Sequence, residues 1–210
     1  MDRNILREAG AALSAIALIA CGTAYAESSK WYAGIGAGQS DWDISSSDVN
    51  KELAAAGITG TSSVDETDTA WKIFAGYQHN KYLGVELGYV DLGEIDIDAT
   101  TTAPTASTVN VNAEADGFTL SAIGTIPIGD KFGLFGRVGA FYWDVEAKAA
   151  AVVSGAVATA SADDDGTDIF YGVGAKYDFT KNLGVRVEWE RFDIDGDDVD
   201  LVSGSLLYSF

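Results

Sequence analysis

Residues 183–190 alternate strictly between two kinds of side chain. Leu183, Val185, Val187 and Trp189 are apolar, and the positions between them are occupied by glycine or charge. A repeat of two residues predicts a β-strand, because successive side chains point to opposite faces. The strand therefore has one apolar face and one charged face, and the question is which of them lies inside the fold.

The same alternation recurs in segments of ten or so residues along the chain. Short turns (HNK, GDK and TKN) join some of them, whereas residues 44–68, 93–116 and 146–167 are long, polar or small-residue connections; the last connection, DIDGDD, is short. Short turns on one side and long loops on the other are typical of a meander that crosses a bilayer. The eight predicted strands are 31–43, 69–78, 82–92, 117–128, 132–145, 168–179, 183–192 and 199–210.

Charged residues in the middle of these strands share a face with glycines. A charge on the lipid face of a barrel costs ~2–4 kcal/mol at the bilayer midplane, and hydrocarbon offers no partner for an open strand edge. We therefore predict an all-β fold, an eight-stranded antiparallel up-and-down transmembrane β-barrel, with the charges inside. A lumen of this size is filled by side chains, and the charged ones must pair with opposite charges. The predicted lumen charge network comprises Lys72, Glu86, Arg137, Lys176, Arg186, Glu188 and Glu190.

Aromatic residues near the strand ends predict two interfacial girdles, as in other membrane barrels. Those near the short turns are Trp31, Tyr82, Phe132, Phe179, Tyr208 and Phe210; those near the long loops are Trp42, Tyr89, Phe118, Tyr142, Tyr171 and Trp189. Beyond Trp189, Arg191 faces lipid by parity, and a snorkelling guanidinium there could reach lipopolysaccharide phosphates.

Two of the long connections carry signals of their own. Residues 46–57 predict a short helix, with Ser46 or Ser47 as the N-cap and Gly57 beyond its end. The segment 147–162 predicts an extension of its two flanking strands around Ser154 and Gly155.

The first 26 residues read as an export signal. Arg3 and Arg7 precede an apolar run, and the small residues Ala24–Ala26 suit signal peptidase, so residues 1–26 are the predicted signal peptide and 27–210 the barrel domain. Lipoprotein processing at Cys21 is the alternative. The apolar run of this signal is far short of the ~20 residues that a spanning helix requires, and no apolar stretch after residue 26 reaches that length.

Charge and composition narrow the function classes. The formal net charge of -19 argues against a nucleic-acid partner, because the surface repels phosphate. The acidic segments 95–102, 162–168 and 193–200 are interpreted as solvated hairpin tips, with loose divalent-cation binding as the alternative; Gly196 does not fit an EF-hand. No metal site and no cofactor is predicted.

An enzyme is not predicted either. The one histidine, His79, lies in a short turn with no serine or cysteine beside it, so it lacks a nucleophile to activate.

The opening WYAGIGAG, the segment GVELGYVDLG and the final LLYSF resemble the transmembrane domain of outer-membrane protein A and its small-barrel relatives of Gram-negative bacteria, over residues 27–210. The resemblance implies location in the outer membrane, contact with outer-membrane lipid and lipopolysaccharide, and recognition of Phe210 by the barrel-assembly machinery. Family members often carry a periplasmic peptidoglycan-binding domain after the barrel; because this sequence stops at Phe210, peptidoglycan anchoring is not expected of it.

Two functions fit this barrel. The first is a structural or surface-interaction role, with a plugged polar lumen and with extracellular loops that bind an unknown host or surface ligand. The alternative is a porin-like channel for small solutes, gated by the lumen charges. Both need the same charged interior, so the sequence leaves them open.

Overall fold

The computed structural model describes residues 31–43, 45–103, 106–153 and 156–210. The predicted signal peptide, including Cys21 and Ala26, lies outside these residues. No helix in the described part of the chain is long and apolar enough to cross a membrane. The elements in chain order are β1 (Trp31–Trp42), α1 (Ser46–Ala55), β2 (Thr59–Asp65), β3 (Thr67–Gln78), β4 (Leu83–Ala103), β5 (Ser107–Ile128), β6 (Phe132–Val153), β7 (Ala156–Asp178), β8 (Leu183–Ile194) and β9 (Asp197–Ser209).

Eight of the strands close into a barrel. β1 pairs antiparallel with β3 and with β9, and each strand from β3 to β9 pairs antiparallel with the next. Closure leaves none of these eight strands with an open edge at the level of the bilayer. The predicted up-and-down antiparallel barrel is confirmed, and β2 is an additional strand that pairs with the upper part of β4.

The two faces of the barrel are inverted relative to a water-soluble protein. In β8, Val187 is 60% exposed, whereas the next residue, Glu188, is 4% exposed. Leucine, isoleucine and valine side chains form a continuous outer belt, which is the arrangement that hydrocarbon requires. The exposed side chains of this belt include Ile35, Ile73, Val85, Leu87, Leu120, Leu134, Val138, Val173, Val202 and Leu206.

Four strands continue well beyond this belt at the end opposite the short turns. The expectation that 93–116 is a loop is wrong, because these residues extend β4 and β5 as a paired hairpin. The register shifts once, between Asp91 and Glu94, where Gly93 has a φ of 76° that suits glycine. The expected extension of β6 and β7 is confirmed, with its turn at 154–155 outside the described residues. We call the upper parts of β2, β4, β5, β6 and β7 the extramembrane sheet.

The predicted helix is present as α1, and it covers one edge of the extramembrane sheet. The N–H of Ser62 in β2 donates to Asn50 Oδ1 at 2.9 Å, and that of Val64 donates to Ser46 Oγ at 3.1 Å. Ser46 is therefore not the N-cap, because its hydroxyl is used by β2; the cap position is Ser45. Gly57 lies beyond the helix end with a φ of 73°, as expected.

Candidate functional site

Six charged side chains meet in the lumen at the level of the outer apolar belt. Lys72 comes from β3, Glu86 from β4, Arg137 from β6, and the remaining three from β8. All of these side chains are at least nine-tenths buried. We call this group the charge cluster; its members are Lys72, Glu86, Arg137, Arg186, Glu188 and Glu190.

Glu86 is held by two arginines. Arg186 Nη1 and Nη2 donate to its two carboxylate oxygens at 2.8 and 3.2 Å, which is a bidentate pair. Arg137 Nη2 lies 3.0 Å from Glu86 Oε1, and the hydroxyl of Tyr32 donates to Glu86 Oε2 at 2.9 Å. This carboxylate is therefore fully coordinated by donors.

The two glutamates of β8 complete the cluster. Lys72 Nζ contacts both Glu188 and Glu190. Arg137 Nη1 lies 2.9 Å from Glu190 Oε1, and Arg186 Nη2 lies 3.0 Å from Glu188 Oε1. Three cations and three anions thus alternate in one network, whose formal charge sums to zero.

Aromatic rings and small residues make room for this network. Arg186 lies over the Phe74 ring, 4.0 Å from its centroid, and Arg137 lies over Phe170 at 4.9 Å. The Nε atoms of both arginines have no hydrogen-bond partner among the described residues, and the rings supply cation–π contact instead. Gly34 faces the Phe74 ring so closely that a Cβ there would overlap it.

The structure departs from the sequence expectation at Lys176. The β7–β8 register places Lys176 directly beside Arg186, and like charges in that position repel. The Lys176 side chain points instead toward the short-turn end of the lumen, where its Nζ lies 3.8 Å from Asp178 and it is 32% exposed. Lys176 therefore does not join the charge cluster.

Above the charge cluster, on the side of the extramembrane sheet, the lumen is apolar. The ring of Phe192 contacts Phe141 edge-on at 4.9 Å between centroids and stacks on Phe170 at 5.1 Å. We call this group the aromatic layer; its buried apolar neighbours include Trp42, Val90, Leu92, Trp143, Val199 and Leu201. Sequence reasoning missed this layer, although parity places Phe141, Phe170 and Phe192 on the same face as the lumen charges.

Below the charge cluster, a cavity of about 570 Å³ opens at the short-turn end. Its lining includes Asp130, Lys131 and Lys176 near the mouth, and Tyr32 and Arg186 farthest inside. Between the charge cluster and the aromatic layer, a void of about 10 Å³ remains, which is at the lower limit for one water molecule.

The two girdles differ from expectation at one residue. All six aromatic residues predicted near the short turns are exposed. Near the long strands, Phe118, Tyr142 and Tyr171 are exposed as expected, but Trp42 is 5% exposed and belongs to the lumen interior, since even-numbered residues of β1 face inward. Trp71 takes a place in this girdle and donates from Nε1 to Asp91 at 3.0 Å.

Arg191 also differs from the expectation that it is free to reach lipopolysaccharide phosphates. Its Nε and Nη2 donate to the two carboxylate oxygens of Asp200 at 2.6 and 2.7 Å, and its Nη1 donates to Asp198 at 3.0 Å. Two carboxylates of β9 therefore occupy the guanidinium.

The other candidate residues lie apart from the charge cluster. His79 is exposed in the turn between β3 and β4, where its backbone N–H donates to Leu83 O at 2.9 Å. In the described ranges, no three His, Cys, Asp or Glu side chains form a group that could hold a metal ion. Phe210 is exposed, stacks edge-on with Tyr208, and donates its N–H to Trp31 O at 3.1 Å across the β1–β9 seam.

Comparison with known proteins assigns this geometry to a family. The model of the OmpA-like transmembrane domain matches residues 26–199. Outer membrane protein A of Yersinia pseudotuberculosis is 29% identical over 87% of this chain and 48% of its own length, and that of Serratia marcescens is 34% identical over 59% and 32%. The chain thus spans about half the length of the relatives it matches, or less.

The structure of the outer membrane protein OprG from Pseudomonas aeruginosa has the same fold, with a TM-score of 0.53 and 13% identity over 87% of this chain and 98% of that one. The inverted barrel, its outer apolar belt and the family match agree with one another. The chain belongs to the family of OmpA-like transmembrane domains, and it is an integral β-barrel protein of the Gram-negative outer membrane.

Proposed function

We propose that this protein is a closed barrel with no transport role, and that it serves the cell as a surface-interaction protein through its extramembrane sheet. The observation that carries the proposal is the sequence of layers in the lumen. A neutral, mutually paired charge cluster lies directly under an aromatic layer, and the void between them is about 10 Å³. A hydrated path for solutes would have to separate the six paired charges of the charge cluster and three packed rings.

The cost of opening supports this proposal. Breaking a buried ion pair by moving one partner away costs about 3–5 kcal/mol, because the other charge stays behind without compensation. Each glutamate of the charge cluster touches at least two cations. Displacing a single side chain therefore disrupts more than one pair.

Single-channel recording of the refolded protein in planar bilayers tests the closed lumen. We expect no conductance steps above those of the protein-free bilayer. The small-solute channel, with the charge cluster as its gate, would be supported instead if the wild type shows conductance steps. Arg137→Ala should then alter these steps, and the control Arg191→Ala should leave them unchanged. Arg191 is a suitable control because it pairs on the outer surface with Asp198 and Asp200.

The proposal extends to partners in the envelope. Phe210, exposed at the β1–β9 seam, is proposed as the residue that the barrel-assembly machinery recognises. Lipopolysaccharide is the proposed neighbour of the girdle that contains Phe118, Tyr142 and Tyr171, since aromatic side chains favour the boundary between acyl chains and head groups. We expect Phe210→Ala to assemble more slowly than the wild type, with heat-modifiable gel migration as the measure of assembly. This experiment tests recognition by the barrel-assembly machinery.

A further inference from the structure

The extramembrane sheet has one edge that the described chain leaves uncovered. β7 pairs with β6 along its whole length, but its pairing with β8 begins only at Phe170, opposite Phe192. Above that point, no strand among the described residues pairs with the other side of β7. The uncovered edge is the segment 156–168, which is longer than a typical strand.

The ladder determines which backbone groups face this edge. The N–H of Asp178 donates to Lys131 O on the β6 side, and the N–H of Phe179 donates to Leu183 O on the β8 side. The β6–β7 register has no shift, so the backbone N–H and C=O groups of even-numbered residues point toward β6, and those of odd-numbered residues point away from it. The residues that direct N–H and C=O toward the uncovered edge are Val157, Thr159, Ser161, Asp163, Asp165 and Thr167.

The opposite edge of the same sheet, β2, is covered by α1. Along β2, the outward N–H groups of Ser62 and Val64 are bonded by Asn50 and Ser46 of α1. At the uncovered edge of β7, one comparable bond is present, from Asp165 N–H to Asp164 Oδ1 at 3.0 Å. Uncovered edges are templates for pairing with another chain, and proteins ordinarily cover them.

The side chains along the uncovered edge define the chemistry of an added strand. Two rows of carboxylates cross the outer face of the sheet and end at Asp163 and Asp165. Directly opposed like charges repel, so each row favours a cation at its end. On the inner face, the same edge presents Ala158, Ala160 and Ala162. The rows are Glu94–Glu114–Glu146–Asp163 and Asp91–Asp116–Asp144–Asp165.

A second copy in the same membrane does not meet these requirements. Both copies insert with the same orientation, so their β7 strands run in the same direction, and pairing would be parallel. Asp163 and Asp165 of one copy would then lie at the same height as Asp163 and Asp165 of the other. The formal charge of -19 on each chain adds repulsion.

We propose that the uncovered edge of β7 binds an extended segment of another protein as an additional strand, with basic side chains at alternate positions on the outer face and small or apolar side chains on the inner face. Main-chain hydrogen bonds to the odd-numbered residues supply affinity, and the two carboxylate rows supply selectivity. The raised pKa of Asp144, caused by partial burial and by neighbouring carboxylates including Asp116 and Asp165, agrees with repulsion within its row. In the other row, Glu146 is already paired with Lys148 at 3.1 Å, and Asp163 at the end of that row remains for a partner. The inference rests on the proposed surface-interaction role.

Fluorescence anisotropy with the protein in lipid nanodiscs tests this site. The probe is a labelled peptide of alternating lysine and valine, about nine residues long. The control peptide has the same sequence with N-methyl groups on three consecutive central residues, which preserves charge but removes donors on both edges. We expect the control peptide to bind at least about tenfold more weakly, because it cannot complete the ladder.

A matched pair of variants isolates the edge. Ser161→Pro removes an edge-facing N–H without loss of a β6–β7 ladder bond, whereas Ser161→Ala retains it. We expect Ser161→Pro to abolish the difference between the two peptides and Ser161→Ala to preserve it, with unchanged heat-modifiable migration in both. If the wild type binds both peptides equally, or if Ser161→Pro retains the wild-type difference between the two affinities, the proposal is overturned. Charge attraction alone would then account for the binding.

Sedimentation of the wild type measures its oligomeric state, and so tests whether a second copy of the chain occupies the edge. A dimer that Ser161→Pro dissociates would assign the edge to a second copy and overturn the proposal. The outcome is separable from that of the proposed closed lumen. A conducting wild type refutes the closed lumen alone, whereas a silent barrel that binds both peptides equally refutes the edge site alone.

Discussion

Glu86→Ala is the change that most directly tests the charge cluster. Glu86 is 1% exposed, accepts hydrogen bonds from Arg186 and Tyr32, and forms an ion pair with Arg137. Its removal leaves three cations facing two anions in a closed lumen. Removing one partner of a buried pair costs about 3–5 kcal/mol, mainly because the remaining charge has no compensation. With a urea dependence of about 1–3 kcal/mol per molar, even 3 kcal/mol lowers the unfolding midpoint by at least about 1 M.

Reversible urea unfolding in lipid vesicles measures this effect, with tryptophan fluorescence and heat-modifiable migration as two probes of the same transition. The control is Asp163→Ala, which removes an exposed carboxylate that faces Glu146. We expect a change within about 0.5 kcal/mol for this control, because surface substitutions rarely exceed that value. The double variant Glu86→Ala, Arg186→Ala restores the charge balance, so its loss should be smaller than the sum of the single losses.

The refuting result is equally specific. If Glu86→Ala and Asp163→Ala change the free energy of unfolding by the same amount, the carboxylate of Glu86 is not a buried, paired group. If the two single losses add in the double variant, Glu86 and Arg186 are not energetically coupled, and the bidentate contact does not stabilise the barrel.

Three further predictions concern other parts of the molecule. Val187 and Val157 are 60% and 72% exposed, but they face different solvents; Val187→Arg should lower the free energy of unfolding by ~2–4 kcal/mol and Val157→Arg by about 0–1 kcal/mol in the same urea assay. Phe192→Ala removes a ring that contacts two others, and should lower that free energy by about 3–5 kcal/mol; a loss below about 1 kcal/mol would contradict a packed aromatic layer. Partial burial and facing carboxylates raise the pKa of Asp144, so its stabilising contribution is present below the unfolded pKa and is lost as pH rises through the higher folded pKa. Amide hydrogen exchange in β6 above the bilayer, corrected for intrinsic rates, should therefore be slower at about pH 4 than at about pH 7, and Asp144→Asn should reduce the difference.

The barrel could be predicted from the sequence because the bilayer enforces a simple rule on each strand. In β8, Val187 and Glu188 must occupy opposite faces, and hydrocarbon decides which of them lies outside. Above the bilayer this rule no longer applies, since both faces of a strand can be polar. Residues 93–116 were therefore mistaken for a loop, although Ile95, Asp96, Ile97 and Asp98 alternate in the same way.

The membership of the charge cluster depended on information that a single strand does not contain. Parity correctly turns Lys176 inward, but the β7–β8 register places it beside Arg186, and this like charge directs it to the mouth. Trp42 was assigned to a girdle because it lies at a strand end, whereas its even position in β1 turns it into the lumen. Both errors come from height and register, which are set by pairing between strands.

The charge cluster also determines which register the barrel can adopt. A slip of one residue turns every side chain of a strand to the other face. In β8 such a slip would expose Arg186, Glu188 and Glu190 to hydrocarbon, at a cost of up to ~2–4 kcal/mol for the arginine alone. The upper β6–β7 hairpin has no comparable penalty, because alanine and valine dominate its upper rungs. The register of the extramembrane sheet is therefore fixed from below, and the odd-numbered residues of β7 face the uncovered edge because the buried charges hold the strands in place beneath it.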